Sequence, residues 1–496
     1  MIQKKLSPEH FINHPDVIAC IENLNQTFGE GNRPFIVSDV IDEEGHQYVH
    51  LVQKGGGVLG IALVGYTYIL EKMGIRFLRL AGTSAGAINT ALMTVIGDKK
   101  DEKSSHILES LCNLDFISLV DGHRVARWIL RKFISHKNFA YKIKWWISAI
   151  VILGLFLLIS DFILLGLQIK HPFLSDYIAP FIIASGIYVL CVGFMIVYII
   201  RLFKKLKNSG FGINPVNFFY DWIKQQLVAN EVHTVSDLNK KANSIPTLSL
   251  RKESPEGPDT LFGDVTFITS ELVTQNKIQF PAMSHLFRHE KDIDTLQPAG
   301  FIRASMAIPL FFESYFIENI PCKSEDIKLA WLNTLNEHEP PSVARFVDGG
   351  ILSNFPMNIF YNPKVTVPRL PSFGIDLDDN KPDDQKYNAA GWSIMGYIGR
   401  IFNTIRYYYD KDFLLKNKMY EKGIGRVSLV EYNWLNFFLT DKDKVDMFVK
   451  GAQAATNFLI KDFDWADYKL TRTMVQFKMD MEEGKVTVSK PDIFKS

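Results

Sequence analysis

Cysteine is scarce in this chain of 496 residues, and its four copies, Cys20, Cys112, Cys191 and Cys322, lie far apart. No Cys-x-x-Cys pair or metal-ligand spacing occurs, which argues against a disulfide framework and suits a reducing compartment. Net charge is almost absent as well: 55 basic residues stand against 54 acidic ones, a formal +1. No overall field then draws the chain to nucleic acid, although basic residues still cluster locally. The first twenty residues lack an apolar run behind their lysines, so no secretory signal is read there and the chain is expected in the cytoplasm unless an internal segment inserts into a bilayer. Internal repeats and low-complexity tracts are missing too. What is abundant is apolar residues, 47% of the chain, ample for a sizeable core in one domain enlarged by insertions.

Two apolar runs stand out. Residues 145–167 are apolar except for Ser148, Ser160 and Asp161, and residues 177–200 carry no charge. Each exceeds the ~20 residues needed to cross a hydrocarbon core. The link between them is short, so a transmembrane helical hairpin is expected, with Trp145, Trp146, Tyr177 and Tyr198 near the headgroups. Arg131, Lys132, Lys137, Lys142 and Lys144 precede the first run, and Arg201, Lys204, Lys205 and Lys207 follow the second. The link holds Lys170 alone. The positive-inside rule puts both flanks in the cytoplasm, making this an integral membrane protein with a cytoplasmic domain. Asp161 is costly at such a depth and calls for a partner or a proton. A homo-oligomer through the hairpin is one such partner.

Outside the hairpin the pattern mixes strands and helices. Residues 48–53 and 75–81 read as strands, and 58–72 and 85–96 as helices, the first ended by Gly74. That alternation implies parallel pairing with right-handed crossovers. Later strands are expected at 265–270, 372–377 and 426–431, a polar loop at 251–258, and a mainly helical tail from Trp392.

Gly82-Thr83-Ser84-Ala85-Gly86 lies between a strand and a helix. A serine there sits on a sharp turn with its hydroxyl pushed into the open, and the flanking glycines avoid clashes in so tight a bend. Gly55-Gly56-Gly57-Val58-Leu59-Gly60 also follows a strand and opens a helix. Two readings compete. The letters satisfy G-x-G-x-x-G, a dinucleotide fingerprint, but the acidic residue wanted about 20 positions on is not found at the end of the next strand. The other reading is an oxyanion hole of unhindered amides at a helix start. A serine also needs a base. No histidine follows His338, which weighs against the Ser–acid–His order. Asp348-Gly349-Gly350 follows an apolar stretch and could approach the serine closely; by itself such a tripeptide is usually a turn, and a free aspartate is a poor base unless burial raises its pKa. His285 and His289 lie four apart without an evident third metal ligand. Arg303 and Ser305 read as packing near the site.

Taken together, VQKGGGVLGIALVGYTYILEKMGI, LAGTSAGAINTAL and RFVDGGILSNFPM resemble the patatin-like phospholipase family, and FIRASMAIPLFF and KGAQAATNFL resemble its flanking segments. The resemblance implies a three-layer α/β/α patatin-like domain with an inserted transmembrane hairpin. It also implies a lipid acyl hydrolase that uses a Ser–Asp dyad without histidine or cofactor. Carried over, Ser84 is the nucleophile, Asp348 its proton acceptor, and Gly55, Gly56 and Gly57 are the oxyanion donors. Gly60, Gly82, Gly86, Gly349 and Gly350 complete the motifs. Leu59 departs from the pattern, since the family usually has Arg or Lys there. The expected layout is an N-terminal extension (1–45), the first catalytic part (46–122), the membrane insertion (123–210), the second catalytic part (211–380) and a helical C-terminal part (381–496). Expected partners are a bilayer and its lipids, with no nucleic acid. A silent membrane scaffold and a nucleotide-binding oxidoreductase are the alternatives.

Overall fold

The computed structural model describes residues 6–29, 32–122, 139–168, 175–208, 210–251, 261–362, 365, 367–378 and 394–482. Arg131, Lys132, Lys137, Lys170, most of the expected loop at 251–258 and the first residues of the C-terminal part (381–393) lie outside the described residues.

The strands are β1 (Val40–Asp42), β2 (Gln47–Gln53), β3 (Ile75–Thr83), β4 (Gly212–Asn214), β5 (Leu248–Leu250), β6 (Asp264–Glu271), β7 (Asn276–Phe280), β8 (Leu310–Phe312), β9 (Tyr315–Ile317), β10 (Ala344–Asp348), β11 (Ser372–Asp378) and β12 (Ile424–Ser428). The helices of two turns or more are α1 (Pro15–Phe28), α2 (Ile61–Lys72), α3 (Ala85–Val95), α4 (Ser104–Cys112), α5 (Phe139–Gln168), α6 (Ser175–Asn208), α7 (Asn217–Ala229), α8 (Val235–Asn243), α9 (Pro298–Ser305), α10 (Glu325–Leu335), α11 (Ile394–Lys416), α12 (Asp441–Asn457) and α13 (Trp465–Glu482).

Among the described residues ten strands make one mixed sheet, with the central path β12-β11-β2-β3-β6-β10-β9. The pairs β2–β3, β3–β6, β2–β11 and β11–β12 are parallel, as strand–helix alternation requires. β10, outside the strands expected from the sequence, is the exception to that direction. It runs antiparallel to both β6 and β9, an arrangement that needs no βαβ crossover. β12 is also displaced from the expected 426–431, because the chain turns at Leu429, where the Tyr432 N–H donates to the Leu429 carbonyl.

α2 is apolar on every side, and residues 61–71 are all buried. The second cover is α12. A Cβ on Gly65 would sit 2.0 Å from the Phe448 carbonyl oxygen, and one on Gly451 would sit 2.0 Å from that of Ala62. Backbones this close explain two glycines inside helices, where they otherwise cost stability. The stretch read as an N-terminal extension joins this packing: Phe11 meets Phe448 edge-on with centroids 5.5 Å apart, and β1 pairs with β2 and β5.

The chain divides into two compact units: 1–120 with 216–309 and 314–496, and 121–215 with 310–313. The second contains α5, α6 and the β4–β8 pair. Within it the Ser185 hydroxyl donates to Asp161 at 2.5 Å and the Tyr188 hydroxyl to the Ile150 carbonyl at 2.6 Å. Asp161 thus has its partner on the neighbouring helix. Other apolar side chains of the pair point outward, Phe162 being 79% exposed. Residues 147–167 and 178–202 have the length and composition to cross a membrane.

Candidate active site

β3 ends at Thr83 and α3 starts at Ala85, so Ser84 alone makes the turn, with φ 54° and ψ −121°. The neighbours show why the motif needs glycine. A Cβ on Gly82 would lie 2.3 Å from the Gly86 carbonyl oxygen, and one on Gly86 would lie 2.2 Å from that of Gln53. The end of β2 is tied to α3 underneath: Asn89 Nδ2 donates to Gln53 Oε1 at 2.6 Å and Gln53 Nε2 to Thr90 Oγ1 at 3.0 Å. Ser84 is 5% exposed, at the positive end of the α3 dipole.

The glycine loop follows β2, the neighbour of β3. A Cβ on Gly55 would approach the Ser84 Cβ to 3.0 Å, so the loop lies directly against the serine. Gly57 has φ 56°, and a Cβ there would lie 2.2 Å from the Trp434 carbonyl oxygen, which also accepts the Val58 N–H at 3.1 Å. The Gly55 N–H, expected to serve an oxyanion, donates instead to the Asn354 carbonyl at 3.0 Å. Leu59 is 1% exposed, and the imagined Cβ of its neighbour Gly56 falls between it and Leu377. An apolar side chain fits that interior position. The nearest lysine in sequence, Lys54, turns to Asp376 Oδ1 at 2.6 Å and the Leu377 carbonyl at 2.9 Å.

Asp348 ends β10. The register pairs Thr83 with Ile268 and Asp348 with Thr269, so the two residues are level across β6. Two ladder steps of about 4.8 Å set their backbones roughly 10 Å apart. Asp348 is 6% exposed, and its Oδ1 accepts the Gly350 N–H at 2.7 Å. A Cβ on Gly349 would collide with the Ile268 carbonyl at 2.1 Å, which is what lets the loop close onto β6.

The end of α9 joins both residues. Ser305 Oγ accepts the Ser84 N–H at 3.0 Å and donates to the Ile268 carbonyl at 2.6 Å, while the Ala307 carbonyl accepts the Asp348 N–H at 2.8 Å. Ser305 was read as packing near the site; its hydroxyl is a hydrogen-bonded strut between the serine turn and β6. Arg303 stacks over the Tyr315 ring at 5.5 Å. His285 and His289 take separate partners, Ala282 and Thr334 for the first and Asp326 for the second. No group of three metal-ligating side chains occurs among the described residues. Sequence reasoning missed Asn354, whose Nδ2 donates to the Gly55 carbonyl at 3.2 Å, and the Ser353 carbonyl that accepts Thr83 Oγ1 at 3.0 Å. Their nearness to Asp348 in sequence was the available signal.

A Bacillus subtilis (strain 168) protein, described as Uncharacterized protein YqhO, is 24% identical over 412 residues, spanning 83% of this chain and 98% of its own. Among solved structures, the crystal structure of VipD from Legionella pneumophila is 17% identical, aligned over 87% of this chain and 72% of that one with a TM-score of 0.35. The model of the Patatin-like phospholipase family matches residues 51–361 and so takes in the glycine loop, the serine turn and the Asp348 loop in one continuous span. With that span covering most of the chain, the protein belongs to the patatin-like phospholipase family.

Proposed function

We propose that the protein is a membrane-anchored serine hydrolase that cleaves acyl esters of lipids. Family membership supports a lipid acyl hydrolase in general terms. The observation that carries the finer reading is the left-handed turn at Ser84, set between the glycine loop and the strand ending in Asp348. In this reading Asp348 accepts the Ser84 proton as Oγ adds to the acyl carbonyl. The Gly56 and Gly57 amides receive the oxyanion, with Gly55 holding the loop's shape. The proton then leaves with the alcohol. Water, deprotonated by Asp348, splits the acyl-enzyme and Ser84 recovers its hydrogen.

The anchor is α5 with α6. Support comes from their length, their outward apolar surface and the Asp161–Ser185 bond, which removes one carboxylate oxygen from lipid. The insertion is residues 123–210, with both ends cytoplasmic by the excess of Lys and Arg around it. Anchoring raises the local concentration of bilayer substrate. A second copy of the chain is a candidate partner through the same hairpin.

The test is lipid mass spectrometry on membranes carrying wild type, Ser84→Ala or Asp348→Asn. Both variants are expected to lose released acyl product by at least about 1,000-fold, the scale seen for single members of a nucleophile–base unit. Identical profiles from the three proteins would remove the enzyme reading.

A further inference from the structure

One buried carboxylate has no part in this chemistry. Asp410 lies on α11, beyond the residues 51–361 that match the family, and is 8% exposed. Its Oδ1 accepts the Ser353 hydroxyl at 2.7 Å and its Oδ2 accepts the Phe355 N–H at 2.7 Å. The Asn354 N–H donates to it as well. Burial pushes its pKa above the usual carboxylate value, and these donors act against that shift. A carboxylate taken out of water is tolerated when its lone pairs are filled. Here donors from three consecutive residues of one turn fill them.

That turn touches each part of the proposed machinery. The Ser353 carbonyl holds the hydroxyl of Thr83, the residue before the nucleophile, at 3.0 Å. Asn354 bonds Gly55 twice, carbonyl to N–H at 3.0 Å and Nδ2 to carbonyl at 3.2 Å. The Ser353 N–H returns to the carbonyl of Gly349, next to the base, at 2.9 Å. Nucleophile stem, oxyanion loop and base loop therefore converge on Ser353 and Asn354, in a turn that Asp410 holds from the other side.

We infer that Asp410 is a positioning residue for the reaction, its carboxylate fixing the 353–355 turn and through it the mutual placement of Ser84, the glycine loop and Asp348. The inference rests on the hydrolase reading above. It assigns a role in the reaction to the C-terminal helix α11. Charge-assisted bonds from backbone and hydroxyl donors are directional, so they set the turn's shape as well as its stability. Displacement of a reacting group by about 1 Å costs roughly 100-fold in rate.

The experiment uses the full chain in its membrane, with wild type, Ser84→Ala, Asp410→Asn, Asp410→Glu and Ser353→Ala. Lipid ester turnover is measured per site titrated with a fluorophosphonate, together with the labelling rate of Ser84 and the melting temperature. Asp410→Asn keeps one acceptor and points an amide N–H at a donor. Its kcat and its labelling rate are expected to fall roughly 100-fold with KM little changed. Ser353→Ala removes one donor and leaves the backbone intact, and is expected to lose about tenfold. Asp410→Glu, which restores the charge, should recover part of the loss. Wild-type kcat per titrated site in Asp410→Asn would overturn the inference, as would a loss that only follows the unfolded fraction. If Asp410→Asn does not fold, wild-type turnover in Ser353→Ala overturns it. Full turnover in Ser84→Ala would instead fell the hydrolase reading, and this inference with it.

Discussion

At Ser84 the backbone occupies a region that L side chains avoid and glycine accepts, φ 54° with ψ −121°. The chain keeps a side chain there at a cost, and strain of this kind clusters at functional positions. Ser84→Gly should therefore be more stable than Ser84→Ala by about 1 kcal/mol, although neither carries the hydroxyl. Urea unfolding of the two variants compares them directly, and equal midpoints would show that the turn is relaxed. Leu59 illustrates the opposite case, a departure from the family's usual cation that local packing explains: the residue is buried beside Leu377 and Gly56, where an unpaired charge would be expensive.

At the scale of elements, the end of α3 shows how buried charge is used to finish a helix. Lys103 Nζ donates to the Met93 carbonyl in its last turn at 2.8 Å, and Lys99 Nζ donates to the Leu78 carbonyl of β3 at 2.9 Å. Burial, reinforced by the neighbouring Lys103, lowers the Lys99 pKa to about 7. The ordinary value is 10.5. Between those values the unfolded chain holds a proton that the folded chain has released, so stability rises as pH rises. Below about 7 both states are charged and the ammonium's burial costs its full amount. Relative to Lys99→Met, wild type should gain about 1.4 kcal/mol per pH unit between pH 7.5 and 9.5. A difference that stays flat across that range would mean that Lys99 remains charged in the fold.

For the whole molecule, residues 121–215 and 310–313 form a compact unit of their own, the one that contains α5 and α6. If α5 and α6 cross the bilayer, the protein should stay in the membrane pellet after alkaline carbonate. A single cysteine placed at Lys170, in a chain freed of its own four, should react with an impermeant maleimide from the non-cytoplasmic side. Reaction from the cytoplasmic side alone would exclude the crossing hairpin.

Much of this was legible in the linear chain, where the cause is local. The strand–turn–helix context of Ser84 follows from apolar periodicity and flanking glycines, and the long uncharged runs of α5 and α6 are visible in composition. Non-local pairing was not legible. The reversed direction of β10, the strut made by Ser305, the diversion of the Gly55 amide to Asn354 and the gathering of the 353–355 turn around Asp410 depend on segments brought together from distant parts of the chain. Side-chain periodicity states which face of a segment is buried but not what lies across from it. Neither a strand's direction in the sheet nor a hydrogen bond's partner is set before the core closes. The sequence by itself thus determined which groups are expected to meet, Ser84, the glycine loop and Asp348, and which segments are long and apolar. Only the tertiary structure decided how those groups are held, because their distances are set by packing between elements and not by spacing along the chain.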